Sequence, residues 1–297
     1  LLDLHGYDVV ISNASAFCKS IRTPSNTLHV CYCLTPTRFV WNPDEYLERE
    51  TVSPAVRSLV RPLLTMMRAW DLRSARRVDR FVAISRVVAD RIRQFYGRDS
   101  DVIFPPVATT TLAPTSSIDD YFLVVSRLAP YKRIDLAIKA CTELGLRLKI
   151  IGSGRDRAAL ERMAGPTVEF LGWQEDDVVR HHFASCKALI FPGEEDFGIT
   201  PVETQAAGRP VIAFAGGGAL DTVIPGETGE FFTEPTTGSL SRVLKEFDDS
   251  RYASSRMVQN AKRFDETVFE NEMTRFIESA YARHMSLHHH GKAANAS

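Results

Sequence analysis

Two carboxylates, Glu195 and Glu203, bracket the run Asp196-Phe197-Gly198-Ile199-Thr200-Pro201-Val202. An apolar stretch at 188–191 leads in, and a short helical pattern followed by a second apolar stretch at 211–214 leads out. In an open α/β sheet this order sets both carboxylates at the carboxyl end of a strand, where ligands bind. A carboxylate there accepts hydrogen bonds from hydroxyl groups. Gly198 lets the backbone approach a ligand closely. The amides of Phe197, Gly198 and Ile199, at a helix start, suit an anion. Thr200-Pro201-Val202-Glu203 also reads as a capping box with proline at the first helical position, so Glu203 has a second reading as the cap of its own helix.

A cationic group lies upstream in Ser126-Arg127-Leu128-Ala129-Pro130-Tyr131-Lys132-Arg133, between an apolar strand at 122–125 and a helical pattern. Arg127 and Lys132 there would neutralise a diphosphate, or else serve as ordinary surface cations. A third segment, Gly152-Ser153-Gly154, follows the strand at 148–151. It is half of a dinucleotide fingerprint, and a tight strand-to-helix turn accounts for it equally well. No Gly-x-Ser-x-Gly elbow and no phosphate loop with Gly-Lys-Ser/Thr occurs, and no Asp-x-Asp pair follows a predicted strand. Hydrolase and metal-held nucleotide chemistry therefore have no signature.

These groups need a scaffold. Strands are expected at 9–11, 28–33 and 81–84 in the first half, and at 122–125, 148–151, 168–171, 188–191, 211–214 and 230–232 in the second. Helices are expected at 54–77 and 86–96, the latter capped by Ser85, then at 134–144, 156–163, 177–184, 201–207, 240–247 and 266–282. Alternating strands and helices imply a parallel sheet covered on both faces. The prolines of the 102–107 segment and the polar stretch at 109–117 suit an interdomain linker. The expected division is a first domain with linker at 1–113, a second at 114–265, a terminal helix at 266–284 and a disordered tail at 285–297, which holds His288-His289-His290.

Composition supports this plan. The chain has 297 residues, 44% hydrophobic, with a formal charge of −1, which suits two domain cores and implies no pull toward nucleic acid. No apolar run is long enough to span a membrane and no secretory leader pattern opens the chain, so a cytoplasmic setting is expected. Cys18, Cys31, Cys33, Cys141 and Cys186 lack zinc-like spacing and read as reduced, buried thiols. The segment 57–98 holds eleven arginines, no lysine and three acids, Asp71, Asp79 and Asp90. It reads either as a solvated helix face or as a surface toward anionic lipid or a phosphorylated acceptor.

In combination, Ser126-Arg127, Tyr131-Lys132-Arg133-Ile134-Asp135, Gly152-Ser153-Gly154, Phe191 to Ile199, Glu203 and Ala207-Gly208-Arg209-Pro210-Val211 resemble glycosyltransferase family 4, the retaining GT-B enzymes. The runs Tyr131 to Ile138 and Thr35 to Trp41 look most like the mannosyltransferases of bacterial polysaccharide assembly. The resemblance implies an α/β GT-B fold: two Rossmann-like domains with a cleft, the amino-terminal one truncated, since the family's first strands and glycine-rich loop would precede Leu1. It implies transfer of a hexose, mannose from GDP-mannose, to a glycan or lipid-linked acceptor. The alternatives are a UDP- or ADP-glucose enzyme and a non-catalytic nucleotide-sugar-binding homologue. The implied catalytic residues are Arg127, Lys132 and Glu195. The implied donor-binding positions are Gly152, Gly154, Gly172, Phe197, Gly198, Ile199, Thr200 and Glu203, with Glu203 on the ribose and the base near Gly172-Trp173. No metal and no cofactor beyond the nucleotide sugar is implied. One departure stands out: Leu34 occupies a position where the family often has a histidine before Thr-Pro.

Overall fold

The computed structural model describes residues 3–41 and 54–294, and the side chains of 3–41 and 61–287. The chain divides into two compact units, one holding the chain up to Phe104 together with the chain from Phe269, the other Pro105–Val268.

The first unit carries a parallel sheet of β1 (Val9–Ala14), β2 (Leu28–Cys33), β3 (Arg80–Ala83) and β4 (Ser100–Val102), in that spatial order. β2 is buried along its whole length, as a central parallel strand must be. β4 lies outside the expected strands, because a short polar strand has no apolar period to reveal it. Around the sheet lie α1 (Arg38–Trp41), α2 (Pro54–Ala75) and α3 (Arg86–Tyr96). Ser85 accepts a hydrogen bond from the Val88 amide at 3.3 Å, the expected cap, and Gly97 ends α3 at φ 61°.

Beneath α2 sits a buried ion pair. Lys19 and Asp71, each with 1% side-chain exposure, meet at 2.6 Å. Lys19 also donates to the Ala16 carbonyl and to Thr37. Asp71 accepts from Thr37, from the Trp41 indole at 2.8 Å and from the Tyr96 hydroxyl at 2.8 Å. Burial, then the adjacent Asp71 charge, pushes the Tyr96 phenol well above its ordinary range. The network ties the loop after β2 to α2 and α3.

The second unit follows the expected alternation. Its strands are β5 (Phe122–Val125), β6 (Leu148–Ile151), β7 (Val168–Gly172), β8 (Ala188–Phe191), β9 (Val211–Phe214) and β10 (Gly229–Phe232). Its helices are α4 (Ile134–Leu144), α5 (Arg157–Met163), α6 (Asp176–Ser185), α7 (Ile199–Ala206), α8 (Ala219–Thr222), α9 (Thr237–Glu246) and α10 (Ser254–Ala261). All strand pairs are parallel, in the order β10-β9-β8-β5-β6-β7. One apolar layer centres on α4, with Ile138 and Cys141 against Val124 and Ile150. The opposite layer centres on Leu123, Phe183, Leu189 and Ala213.

Four expectations change. The stretch 109–117 is not a free linker: Thr109 is buried, donates a short hydrogen bond to Asp265, and belongs to the second unit. The terminal helix, α11 (Glu266–Ala294), continues through most of the expected disordered tail. Cys18 is exposed, whereas the other four thiols are buried. The capping box does not form: α7 starts at Ile199 behind Gly198, with no side-chain cap. Proline then stands at the third helical position, where its missing N–H still costs no intrahelical bond.

Candidate functional site

The order of the second sheet reverses between β5 and β8. From β5 the chain runs outward through β6 and β7, then returns to the far side of β5 as β8 and continues to β9. At such a switch point the loops leaving the carboxyl ends of the two strands diverge and open a crevice. Those loops are 126–133 and 192–198, the segments carrying the cations and Glu195.

The loop after β5 makes one short 3₁₀ turn, Pro130–Lys132, and leaves it through Arg133 in the left-handed region at φ 52°. This presents Arg127, Tyr131 and Lys132 together. Arg127 donates to the Tyr131 hydroxyl at 2.6 Å, and its guanidinium lies 5.7 Å from that ring's centre. Lys132 Nζ lies 5.3 Å from the same ring and pairs with the Glu195 carboxylate across the β5–β8 boundary. The Lys132 and Glu195 side chains are only 16% and 22% exposed, so each answers the other's charge in a mostly desolvated setting.

Glycines hold this geometry. A Cβ at Gly193 would come within 2.9 Å of the Lys132 carbonyl oxygen, so only glycine lets the two loops close. A Cβ at Gly217 would fall on the Glu195 carbonyl, and one at Gly218 on the Phe197 backbone; the Gly218 amide donates to Glu195 O at 2.8 Å. The sequence pattern assigns no role to Tyr131, Gly193, Gly217 or Gly218. For Gly217 and Gly218 the available signal is the Gly216-Gly217-Gly218 run, one residue past a predicted strand.

The other expected site residues fall into different company. Gly152 and Gly154 pack against the β5 loop, where a Cβ would fall on the Ser126 and Leu128 carbonyls. Gly172 accepts from the Gly152 amide at 2.7 Å. Gly152 and Gly154 thus have a packing reason to be glycine, and Gly172 a conformational one, its φ of 72°. Phe197 points inward, 3% exposed, its ring edge-on to Phe264 at 5.6 Å. Gly198 adopts φ 93° at the head of α7, next to the 47% exposed Ile199. Thr200 lies in the first turn of α7, and its carbonyl accepts from Thr204. The uncapped amino end of α7 offers amides and a positive dipole end beside Glu195.

Glu203 sits deeper on α7, beside Asp176 and Arg180 of α6. Burial, then the Asp176 charge, pushes its carboxyl above the ordinary carboxylate range, and Arg180 partly offsets this. The fold therefore favours protonated Glu203. Its stability on this account is greatest below the unfolded carboxylate range and falls as pH rises through the raised value. Glu203→Gln is expected to melt above the wild type at pH 7, with the gap closing in acid. Thermal melts across pH check this; a gap independent of pH would refute it.

Residues 115–264 match the family Glycosyl transferases group 1. The chain is 36% identical over 174 residues to a GDP-mannose-dependent alpha-mannosyltransferase of Mycolicibacterium smegmatis, covering 54% of this chain and 46% of that one. It is 31% identical over 134 residues to a glycogen synthase of Xanthomonas campestris, covering 42% and 28% respectively. In fold it is similar to Anabaena HepE, solved in complex with UDP and glucose, at a TM-score of 0.64 and 19% identity, over 84% of this chain and 77% of that one. The chain spans about half the length, or less, of the curated relatives it matches. With the family match covering half of the chain, including Arg127, Lys132, Glu195 and Glu203, the chain belongs to the glycosyl transferases group 1 family.

Proposed function

We propose that the second unit binds a nucleotide diphosphate sugar and that the protein acts as a retaining hexosyltransferase of the family 4 type in the cytoplasm. The observation that carries this reading is the meeting of Arg127, Lys132, Glu195 and the uncapped α7 amino end at the sheet's switch point. An anionic group with a hydroxyl-bearing neighbour is what those four features complement. Glu203 serves the ribose hydroxyls, and the base lies near Gly172-Trp173.

In the transfer, the bond between the sugar's anomeric carbon and the diphosphate oxygen breaks. Negative charge builds on that oxygen, where Arg127, Lys132 and the α7 dipole stabilise it. The acceptor hydroxyl attacks from the same face, and its proton passes to the departing phosphate oxygen. Glu195, released from Lys132 as the diphosphate takes its place, accepts hydrogen bonds from the sugar hydroxyls. Charge neutralisation rests on side chains and helix amides, so the step is assigned no metal.

The M. smegmatis relative favours mannose from GDP-mannose, delivered to a glycan or lipid-linked acceptor in polysaccharide synthesis. The glycogen synthase relative favours a second reading, glucose from a UDP or ADP donor. Thermal titration with GDP, UDP and ADP separates the two. A ligand at a hundredfold its Kd adds about 2.7 kcal/mol, a Tm rise of about 5–10 °C. GDP is expected to give this rise at the lowest concentration. A preference for UDP or ADP overturns the mannose reading, and no shift with any of them overturns donor binding. A GDP shift without nucleotide release from GDP-mannose in the presence of acceptor identifies a binding protein instead.

A further inference from the structure

The solvent side of α2 carries apolar residues that its own unit does not bury. Leu63, Met66 and Trp70 are 53%, 70% and 41% exposed. Spaced three and four apart, they form one row along the helix. Phe17, itself 47% exposed, packs edge-on against Trp70 at 5.5 Å and against Phe39 at 5.9 Å, which widens the row into a patch. Contiguous large apolar surface of this kind marks an interaction site.

Arg73 near the end of α2, and Arg76 and Arg77 in the turn just past it, are all exposed. An open groove of about 500 Å³ runs between the two zones, lined by Ala69, Trp70, Leu72, Arg73 and Arg76. Other arginines of the basic segment are committed within the unit. Arg68 donates to the Val40 carbonyl, Arg80 pairs with Asp101, Arg93 with Asp99, and Arg98 binds the carbonyls of Ala75, Val78 and Asp79. The single acid of α2, Asp71, is buried on Lys19. Among its described side chains, the exposed side of the helix is therefore apolar and cationic, and carries no carboxylate.

We propose that this face docks on an anionic lipid bilayer, with Leu63, Met66, Trp70 and Phe17 entering the interface and Arg73, Arg76 and Arg77 on lipid phosphates. An interfacial helix of this type pairs an apolar side with a Lys/Arg-rich one. A second copy of the chain fits less well, because a two-fold contact would set arginines against arginines. No described helix is long and apolar enough to cross a membrane, so the contact is superficial. The face lies wholly in the first unit, and its test stands apart from nucleotide titration.

Co-sedimentation of the full chain with phosphatidylcholine vesicles, with and without phosphatidylglycerol, tests the proposal. Binding is expected to the anionic vesicles and at least tenfold weaker to the neutral ones. Met66→Ser with Trp70→Ser should weaken it at least tenfold. Glutamine at Arg73, Arg76 and Arg77 should cost about fivefold per arginine and flatten the salt dependence. Bromolipid quenching should reach Trp70 in the wild type, and the quenched component should disappear in Trp70→Phe, which keeps the fold. Absence of sedimentation at low salt, full binding by the serine variant, or a dimer that leaves the vesicles unbound would each overturn it.

Discussion

Lys132→Ala is expected to lower kcat by about 100- to 1,000-fold, the effect of removing one preorganised donor from developing charge, ~2.7–4 kcal/mol. The reason lies in where Lys132 is held. Its turn is pinned from one side by the left-handed Arg133 and from the other by Gly193, and its ammonium is mostly shielded from water. Before the donor binds, its charge is shared with Glu195. As the sugar–phosphate bond breaks, negative charge accumulates on the phosphate and the interaction strengthens, so the loss falls on kcat rather than on donor affinity. Lys132→Arg should restore no more than a tenth of the rate, because a planar guanidinium cannot take the ammonium's place against the Tyr131 ring and Glu195. Steady-state release of nucleoside diphosphate reads the effect. A variant within threefold of wild-type kcat would remove Lys132 from the catalytic set.

Asp71→Ala is expected to cost about 3–5 kcal/mol, because it strands the Lys19 ammonium without a counter-charge in the interior. The Trp41 indole and the Tyr96 hydroxyl lose their acceptor at the same time. For a domain of this size the change corresponds to a fall in Tm of roughly 10 °C. Adding Lys19→Met to Asp71→Ala should return much of that loss, since a pair removed together leaves no buried charge. Calorimetry on both variants decides it: a single variant melting within 2 °C of wild type would show that water reaches Lys19 and that the pair is not a buried one.

Much of the fold is legible in the amino-acid sequence because its signal is local. The strands of the second unit are short apolar runs, such as Phe122-Leu123-Val124-Val125 and Ala188-Leu189-Ile190-Phe191, and their limits in the structure match the hydrophobic pattern. A parallel strand buried on both faces must be apolar throughout, so composition alone marks it. The same logic failed for β4 and for α10, where short, mixed-polarity segments are fixed by partners rather than by their own pattern. It also failed at the head of α7: Thr200 to Glu203 satisfies the capping-box rule, yet the glycine at φ 93° starts the helix earlier.

What the sequence determined by itself was the inventory of the candidate site, because Arg127, Lys132, Glu195 and Glu203 each follow a strand or open a helix. Which of them meet was decided by tertiary structure. Strand order is a non-local property, and it alone puts β5 beside β8 and so Lys132 against Glu195, whereas Glu203 faces Asp176 and Arg180 on α6. The glycines that permit these approaches are identical as letters to glycines in open turns. Only the backbone opposite each one shows why a methyl group could not be there. Lys19 gave no sign at all, since a lone lysine in a polar stretch reads as solvated until the fold places Asp71 above it.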